Sequence, residues 1–306
     1  MQGRMRRVRL DCADSLLVVG SGKGGVGKST VSVNLAVALA KRGASVGLLD
    51  GDAYGPSVPM MLGVRKRQAA HESALFLPLA QHGKLAPERM LKPLSRYGIK
   101  IMSVGFFIGE EQAVAPIPDV LGVLIRQLLY SVDWGKLDYL IIDLPPGNGE
   151  PQATLCREMQ IDGAILVTTP QDIARIDTAK ALAMFQGVDV PVLGVVRNMD
   201  GFLCPHCGEH VEIFPRSQEA RELLDDLPLL ASIPLDPATA AGGDKGQPVV
   251  ISNAASPVAA AFLGMSEQVN VLLETQRTLA ATKMPAPQQE EVEATKGDSV
   301  NDERED

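Results

Sequence analysis

Leu16-Leu-Val-Val-Gly-Ser-Gly-Lys-Gly-Gly-Val-Gly-Lys-Ser-Thr30 is the stretch whose reading decides the fold. Leu16 to Val19 is a short apolar run of the kind that forms a buried strand. Glycines follow at 20, 22, 24, 25 and 27, and Lys28-Ser29-Thr30 opens an amphipathic run that lasts until Gly43. Gly22 to Ser29 satisfies G-x-x-x-x-G-K-[ST], a phosphate-cradling pattern. Glycines let the backbone curl so that successive N–H groups point inward at phosphate oxygens, where any Cβ would crowd them. The helix that begins there adds the positive end of its dipole. In this arrangement Gly22, Gly24, Gly25, Val26 and Gly27 form the cradle. Lys28 reaches the β- and γ-phosphates, Ser29 ligates Mg²⁺, and Thr30 completes the phosphate contacts at the helix start. The plain alternative is a glycine-rich turn with no ligand. Strand, loop, lysine, hydroxyl and helix nevertheless follow in the order that the phosphate chemistry requires.

The 306 residues suffice for one large α/β domain or two small ones. Aromatic content of 4% argues against an aromatic platform for single-stranded nucleic acid. Formal net charge is −8, and Pro285 to Asp306 alone carry eight acids and two bases, so the remainder is near neutral and offers no basic face for nucleic acid. Four cysteines are too few for a disulfide scaffold at this length. With two of them closely paired, they point to a reducing cytoplasm and a metal or redox motif. Residues 1–14 read as a basic leader without the apolar core of a secretory signal. No apolar run approaches the ~18 residues of a membrane span.

Along the chain, Ser45 to Leu49 predicts a second buried strand that delivers Asp50-Gly51-Asp52 at its carboxyl end, the edge where parallel sheets bind ligands. Two carboxylates beside a phosphate loop suit the positioning of magnesium-bound and attacking water. For Asp50 a simple strand-end cap competes. Ile99 to Val104 predicts a third strand and Val120 to Tyr130 a helix. Asp138 to Asp143 is a strand ending in one carboxylate, which places Asp143 opposite Ser29 where it can hold Mg²⁺ through water. Leu144-Pro-Pro-Gly-Asn-Gly-Glu150 follows as a stiff loop near the γ-phosphate. Further strands are predicted at 163–169, 190–196 and 228–233. A helix carrying Ile173 and Ile176 runs to Phe185, and a last helix spans about 254–279. Strands separated by helix-length stretches imply a mostly parallel sheet with helices on both faces, an α/β fold. The expected organisation is one P-loop domain over 15–283, an inserted Cys-x-x-Cys loop at 201–210, and a disordered acidic tail at 284–306.

Gly201-Phe-Leu-Cys204-Pro-His-Cys207-Gly-Glu-His210 carries the close cysteine pair. Two thiolates at this spacing supply half of the four ligands that zinc or a cubane cluster takes. A homodimer supplies the other half by symmetry. Three other readings compete: structural zinc on Cys204, Cys207 and His210, a thiol-oxidase tetrad, and an unused thiol pair. Cys12 and Cys156 read as plain thiols.

Gly22-Lys23-Gly24-Gly25-Val26-Gly27-Lys28-Ser29 resembles the deviant Walker A loop of the MinD/ParA/nitrogenase-reductase class. That resemblance implies ATP, a homodimer, and a Lys23 that crosses the dimer interface to the partner's nucleotide. It also implies that Asn198, at a strand end, hydrogen-bonds the adenine. Leu49-Asp-Gly-Asp-Ala-Tyr-Gly-Pro-Ser-Val-Pro-Met-Met-Leu-Gly63, the Gly98 to Phe106 segment and Asn198-Met-Asp-Gly-Phe-Leu-Cys-Pro-His-Cys-Gly208 resemble more narrowly the Mrp/ApbC family of iron–sulfur cluster carrier ATPases. The similarity covers about residues 15–265. It implies that Asp52 orients the attacking water, that Pro234 and Asp236 form the other wall of the base pocket, and that Cys204 and Cys207 ligate a [4Fe–4S] cluster bridging two subunits. Apo iron–sulfur proteins and cluster-assembly scaffolds are the implied partners. The chain departs from the family's usual pattern at Val114 to Asp119, at Asn148 and Glu150, and at Ile213 to Ser217.

Two rival functions share the loop. A positioning ATPase of the MinD or ParA kind needs a basic amphipathic C-terminal helix or a basic DNA face. It would leave the cysteine pair as structural zinc or unused. A redox partner like nitrogenase reductase normally spaces its cluster cysteines far apart. The expected function is an ATP-hydrolysing carrier of iron–sulfur clusters, slow without a partner because no intrinsic arginine finger is apparent.

Overall fold

The computed structural model describes residues 7–52, 55–64, 90–106, 118–204, 206–214, 224 and 226–283. In chain order its elements begin with β1 (Ala13–Ser21), α1 (Lys28–Lys41), β2 (Val46–Asp50), α2 (Val58–Met61), β3 (Leu94–Arg96) and β4 (Ile99–Ser103). A short 3₁₀ turn, Val104–Phe106, leads to α3 (Pro118–Ser131), β5 (Leu137–Asp143), α4 (Glu150–Glu158), β6 (Gly163–Thr168) and α5 (Asp172–Gly187). The chain continues through β7 (Val192–Leu203), β8 (His210–Val211), β9 (Leu229–Leu235), α6 (Pro237–Asp244), α7 (Val249–Ser252) and α8 (Pro257–Lys283).

The sheet runs β3-β4-β2-β5-β1-β6-β7-β8, with β9 also on β7. Every pairing is parallel except the two hairpin-like edges, β3 with β4 and β7 with β8. Helix-length crossovers account for this, because a parallel neighbour cannot be reached by a tight turn. β1 sits near the middle, and Leu17, Val18 and Val19 are wholly buried, as expected of a strand covered on both faces.

Three boundaries differ from the sequence-based expectation. Residues 7–14, read as a leader, join the fold. Val8 bridges Met159, Leu10 is in the core, and Ala13 already pairs with Leu137. Their apolar side chains alternate with charges, which disguised the strand start. α1, read as amphipathic, is buried nearly all round from Val31 to Leu39 because α8 covers the side that the sheet does not. The strand expected to end at Val196 runs on to Leu203, so the cysteine motif begins a β-hairpin rather than a free loop. The acidic tail 284–306, His71, His82 and residues 107–117 lie outside the described residues.

Asp236 closes β9 and opens α6. Its carboxylate oxygens accept from Ala238 N and Thr239 N, both at 3.1 Å, and from Thr239 Oγ1 at 2.7 Å. These bonds satisfy N–H groups that the first helical turn leaves without partners. Asp236→Ala should therefore lower unfolding free energy by about 1 kcal/mol in urea melts. A loss confined to nucleotide affinity, with stability unchanged, would count against the capping role.

Candidate functional site

The parallel strands β1, β2, β4, β5 and β6 bring Ser21, Asp50, Ser103, Asp143 and Thr168 to one sheet edge, since each residue ends its strand. Register makes the geometry definite: Asp50 is level with both Asp143 and Ser103, and Val19 is level with Asp143. Gly22 to Gly27 curls over this edge. Gly25 and Gly27 take φ of 78° and 86°, the left-handed region that glycine enters without strain. Gly22 serves by size instead. A Cβ there would lie 2.1 Å from the Asp177 backbone of α5, so the loop seats directly on that helix.

α1 begins at Lys28 with Gly27 as its N-cap, no side-chain cap bond and no acidic residue in its first turn. Its leading N–H groups are therefore available to an anion, as the sequence pattern requires. Lys28 is buried. Its Nζ lies 2.9 Å from Asp143 Oδ1, 3.8 Å from Asp52 Oδ2 and 3.4 Å from Ser29 Oγ. Ser29 Oγ donates to Asp143 Oδ2 at 2.5 Å. The structure thus gathers Lys28, Ser29, Asp52 and Asp143, four residues spread over more than a hundred positions. Thr30 and Lys23 are half-buried. The Lys23 carbonyl accepts from Ser21 Oγ at 3.0 Å, and no described residue pairs with its ammonium.

Three partners were not anticipated. Ser32 Oγ donates to Asp143 Oδ1 at 2.7 Å, one helical turn after Lys28. Ser103 Oγ donates to Asp50 Oδ2 at 2.9 Å. Gln152 on α4 is buried and donates from Nε2 to the carbonyls of Pro146 and Pro145 at 3.1 and 3.4 Å, fixing the loop that follows Asp143. Ser32 lies four residues beyond a phosphate-loop lysine on a helix, a spacing that could have flagged it. Ser103 and Gln152 carried no such signal, because only strand register and the loop's path place them.

Asp50 caps the strand end, its Oδ1 accepting from Asp52 N at 3.2 Å, and it also accepts from Ser103. It is wholly buried, and desolvation together with the neighbouring Asp143 pushes its carboxyl up to about 8. Asp52 is nearly buried and accepts from Gly55 N at 3.3 Å. With Asp50 holding its proton, Asp52 and Asp143 carry two negative charges against the single Lys28 ammonium. A hard, oxygen-seeking divalent cation suits that balance, and Ser29 and Asp143 supply the oxygen donors that Mg²⁺ takes. The residues present therefore fit the metal that the loop pattern implies.

Asn198 does not end its strand. Its Nδ2 donates to the Val26 carbonyl at 2.9 Å, tying β7 to the phosphate loop. Pro234 is half-buried within β9, and the Asp236 carboxylate is engaged as the α6 cap. Of the three expected base-pocket residues, Asn198 and Asp236 are already occupied in holding the fold.

The cysteines sit at the tip of the β7–β8 hairpin. Cys204 N donates to Glu209 O at 2.9 Å and Gly208 N to Cys204 O at 2.8 Å, closing the turn. Hydrogen bonds from the backbone at Cys207 and His206 hold the Cys204 thiol below the ordinary thiol range. Cys207 is exposed and Cys204 half-buried. His210 Nε2 is hydrogen-bonded to the Asp200 carbonyl at 3.0 Å. Among the described residues no group of three His, Cys, Asp or Glu side chains is placed to hold a metal ion. The zinc reading on Cys204, Cys207 and His210 thus has no geometric support within one chain. Cys156, by contrast, is buried, and burial pushes its thiol up to about 12. Among the described residues no helix is long and apolar enough to cross a membrane.

The raised Asp50 carboxyl has a consequence for stability. Between the ordinary 3.8 and about 8 the folded chain keeps a proton that the unfolded chain releases. Stability therefore falls as pH rises through that window. In nucleotide-free and metal-free protein, Asp50→Asn should gain stability relative to the unsubstituted chain between about pH 5 and about pH 8, read from urea unfolding at each pH. An amide can still accept from Asp52 N and face the Ser103 hydroxyl. A stability difference independent of pH would show that Asp50 is ionised throughout.

A family model described as ParA: NUBPL iron-transfer P-loop NTPase matches residues 13–270. The "Iron-sulfur cluster carrier protein" of Aquifex aeolicus is 41% identical over 277 residues, covering 90% of this chain and 72% of that protein. The "Iron-sulfur cluster transfer protein NUBPL" of Mus musculus is 41% identical over 272 residues, covering 88% and 80%. A nucleotide-binding protein from Archaeoglobus fulgidus, solved in complex with ADP, shares the fold at a TM-score of 0.62 and 36% identity, covering 78% of this chain and 89% of that one. The cell division ATPase MinD of Pyrococcus furiosus gives a TM-score of 0.62 at 28% identity, covering 84% and 99%. The match over most of the chain, on the same fold, means that this chain belongs to the ParA/NUBPL family of iron-transfer P-loop NTPases.

Proposed function

We propose that the chain is an ATP-hydrolysing carrier that holds a [4Fe–4S] cluster between two copies of itself and passes it to apo iron–sulfur proteins, receiving it from cluster-assembly scaffolds in the cytoplasm. The observation that carries this reading is the Cys204–Cys207 hairpin at the end of β7, the same strand whose Asn198 touches the phosphate loop. One hairpin offers two sulfurs. A second copy related by a twofold axis brings the four that a cubane cluster takes. An exposed Cys207, and a Cys204 whose thiolate is favoured by the turn's N–H groups, suit a cluster that must be gained and surrendered.

For the nucleotide, the Gly22–Gly27 amides and the α1 N-terminus bind the β- and γ-phosphates, with Lys28 as their point charge and Thr30 beside them. Ser29 and Asp143 would hold Mg²⁺, which would supply positive charge to offset that of the phosphates. Lys23, whose ammonium no described residue engages, reaches the partner's phosphates. Asp52 stands beside Lys28 and orients the water that attacks the γ-phosphorus. ADP leaves as the P–O bond breaks, and inorganic phosphate takes up the water oxygen. Asn198, Pro234 and Asp236 border the base. A positioning ATPase of the MinD kind would share this fold and loop but leaves the cysteine hairpin without a use.

Asp52→Asn should keep ATP affinity while lowering the hydrolysis rate at least about 100-fold, measured by phosphate release against nucleotide titration. Anaerobic incubation with iron and sulfide should give a brown protein dimer with about two irons per chain, and Cys204→Ser should abolish both colour and iron. Bound zinc without colour, or a colourless monomer, would overturn the carrier reading.

A further inference from the structure

One short, strained piece of β7 ties the cysteine hairpin to the phosphate loop. At one end Asn198 Nδ2 donates to the Val26 carbonyl, and this nitrogen fills the space that a Cβ on Gly27 would need, 2.1 Å away. At the other end Asp200 is buried. Its carboxylate accepts from the Ser232 hydroxyl of β9 and lies 3.4 Å from Arg197 Nε. The Asp200 carbonyl can only accept, so the His210 Nε2 at 3.0 Å is the donor. Between the two anchors stands Met199 at φ 56°, in the left-handed region where a non-glycine side chain crowds the backbone. Gly201 follows at φ 79°. The His210 ring packs where a Gly201 side chain would be, with Nε2 and Cε1 at 2.2 and 2.3 Å from the position of a Cβ. The β7–β9 register slips across this stretch and resumes at Phe202 with Leu235.

The two strands pair through Asn198 with Ile233 before the bulge and through Phe202 with Leu235 after it. A non-glycine residue in a disfavoured conformation persists only where its surroundings hold it, and such strain gathers at functional segments. Here the holders are the phosphate loop and the hairpin. We propose that His210 is the positioning residue through which the cysteine hairpin senses the phosphate loop. A nucleotide that reorganises Val26 and Gly27 shifts Asn198. The Met199 bulge carries that shift to the Asp200 carbonyl, and His210 carries it into β8 and the turn that holds Cys204. Among the described residues, without the imidazole the hairpin is joined to this anchor by the covalent chain and the short β8 ladder, Phe202 with Val211 and Leu203 with His210. This inference rests on nucleotide binding at the phosphate loop. It places the coupling inside one chain rather than in a rearrangement of two.

The test is the alkylation rate of Cys204 by iodoacetamide, read by peptide mass spectrometry. It uses the full-length, cluster-free chain, with and without Mg²⁺ and a non-hydrolysable ATP analogue, at concentrations where sedimentation shows monomers. In the unsubstituted chain the analogue should change the rate by about fivefold. His210→Ala should erase that response with analogue affinity and circular dichroism unchanged. His210→Gln, whose amide N–H can reach the Asp200 carbonyl, should restore it. An equal response in His210→Ala, no response in the unsubstituted chain with analogue bound, or a parallel loss of analogue affinity in His210→Ala would each overturn the proposal. Cluster loading is scored separately. A chain that refuses iron and sulfide yet shows the alkylation response sinks the carrier reading and leaves this coupling intact.

Discussion

The Lys28 ammonium, set between the buried carboxylates of Asp143 and Asp52, is the constraint on which the rest of the molecule depends. A buried ion pair is a poor source of stability, because desolvation of both partners offsets their attraction. Its value here lies in position. Asp143 is fixed by β5, Asp52 by the turn after β2, and Lys28 by the first turn of α1. Ser29 and Ser32 hydroxyls complete the shell around Asp143. Phosphate oxygens entering this site would find a lysine and a row of amides already oriented, at little cost in rearrangement.

Around that pair the sheet acts as a ruler. Parallel register sets Asp50 level with Asp143, and their proximity in a dry site explains why one of the two keeps its proton. A single negative charge therefore remains for a divalent cation to offset, instead of two. The loop after Asp143 is fixed independently, by Gly147 N on the Ser21 carbonyl at 2.9 Å and by the Gln152 amide. The backbone path from Pro145 to Gly147, just before Asn148 and Glu150, is thus held by neighbours. Glu150 itself turns outward to Arg157 at 2.6 Å.

β7 joins the two chemistries of the protein. Its first half belongs to the nucleotide edge and its second half to the cysteine hairpin, with the Met199 bulge between. A thiol pair carried by a strand, rather than by a free loop, has a defined direction. Two chains could therefore present their sulfurs to one another by symmetry rather than by chance encounter. The same construction gives a route by which events at phosphates reach sulfur.

The sequence alone determined the phosphate loop, the parallel strands, the longer helices α1, α3, α5 and α8, the strand-end carboxylate at Asp143 and the cysteine pair. Each depends on neighbours in the chain: glycine spacing for a backbone curl, apolar runs for strands, and a two-residue gap for two thiolates. The tertiary structure decided what depends on distant neighbours. That Asp50 is buried beside Asp143, that Ser32 and Ser103 serve carboxylates and that His210 clamps Gly201 all follow from strand register and from packing between elements distant in the chain. The all-round burial of α1 was equally invisible in advance, because whether a helix shows a polar face depends on what covers it, and α8 lies more than two hundred residues away.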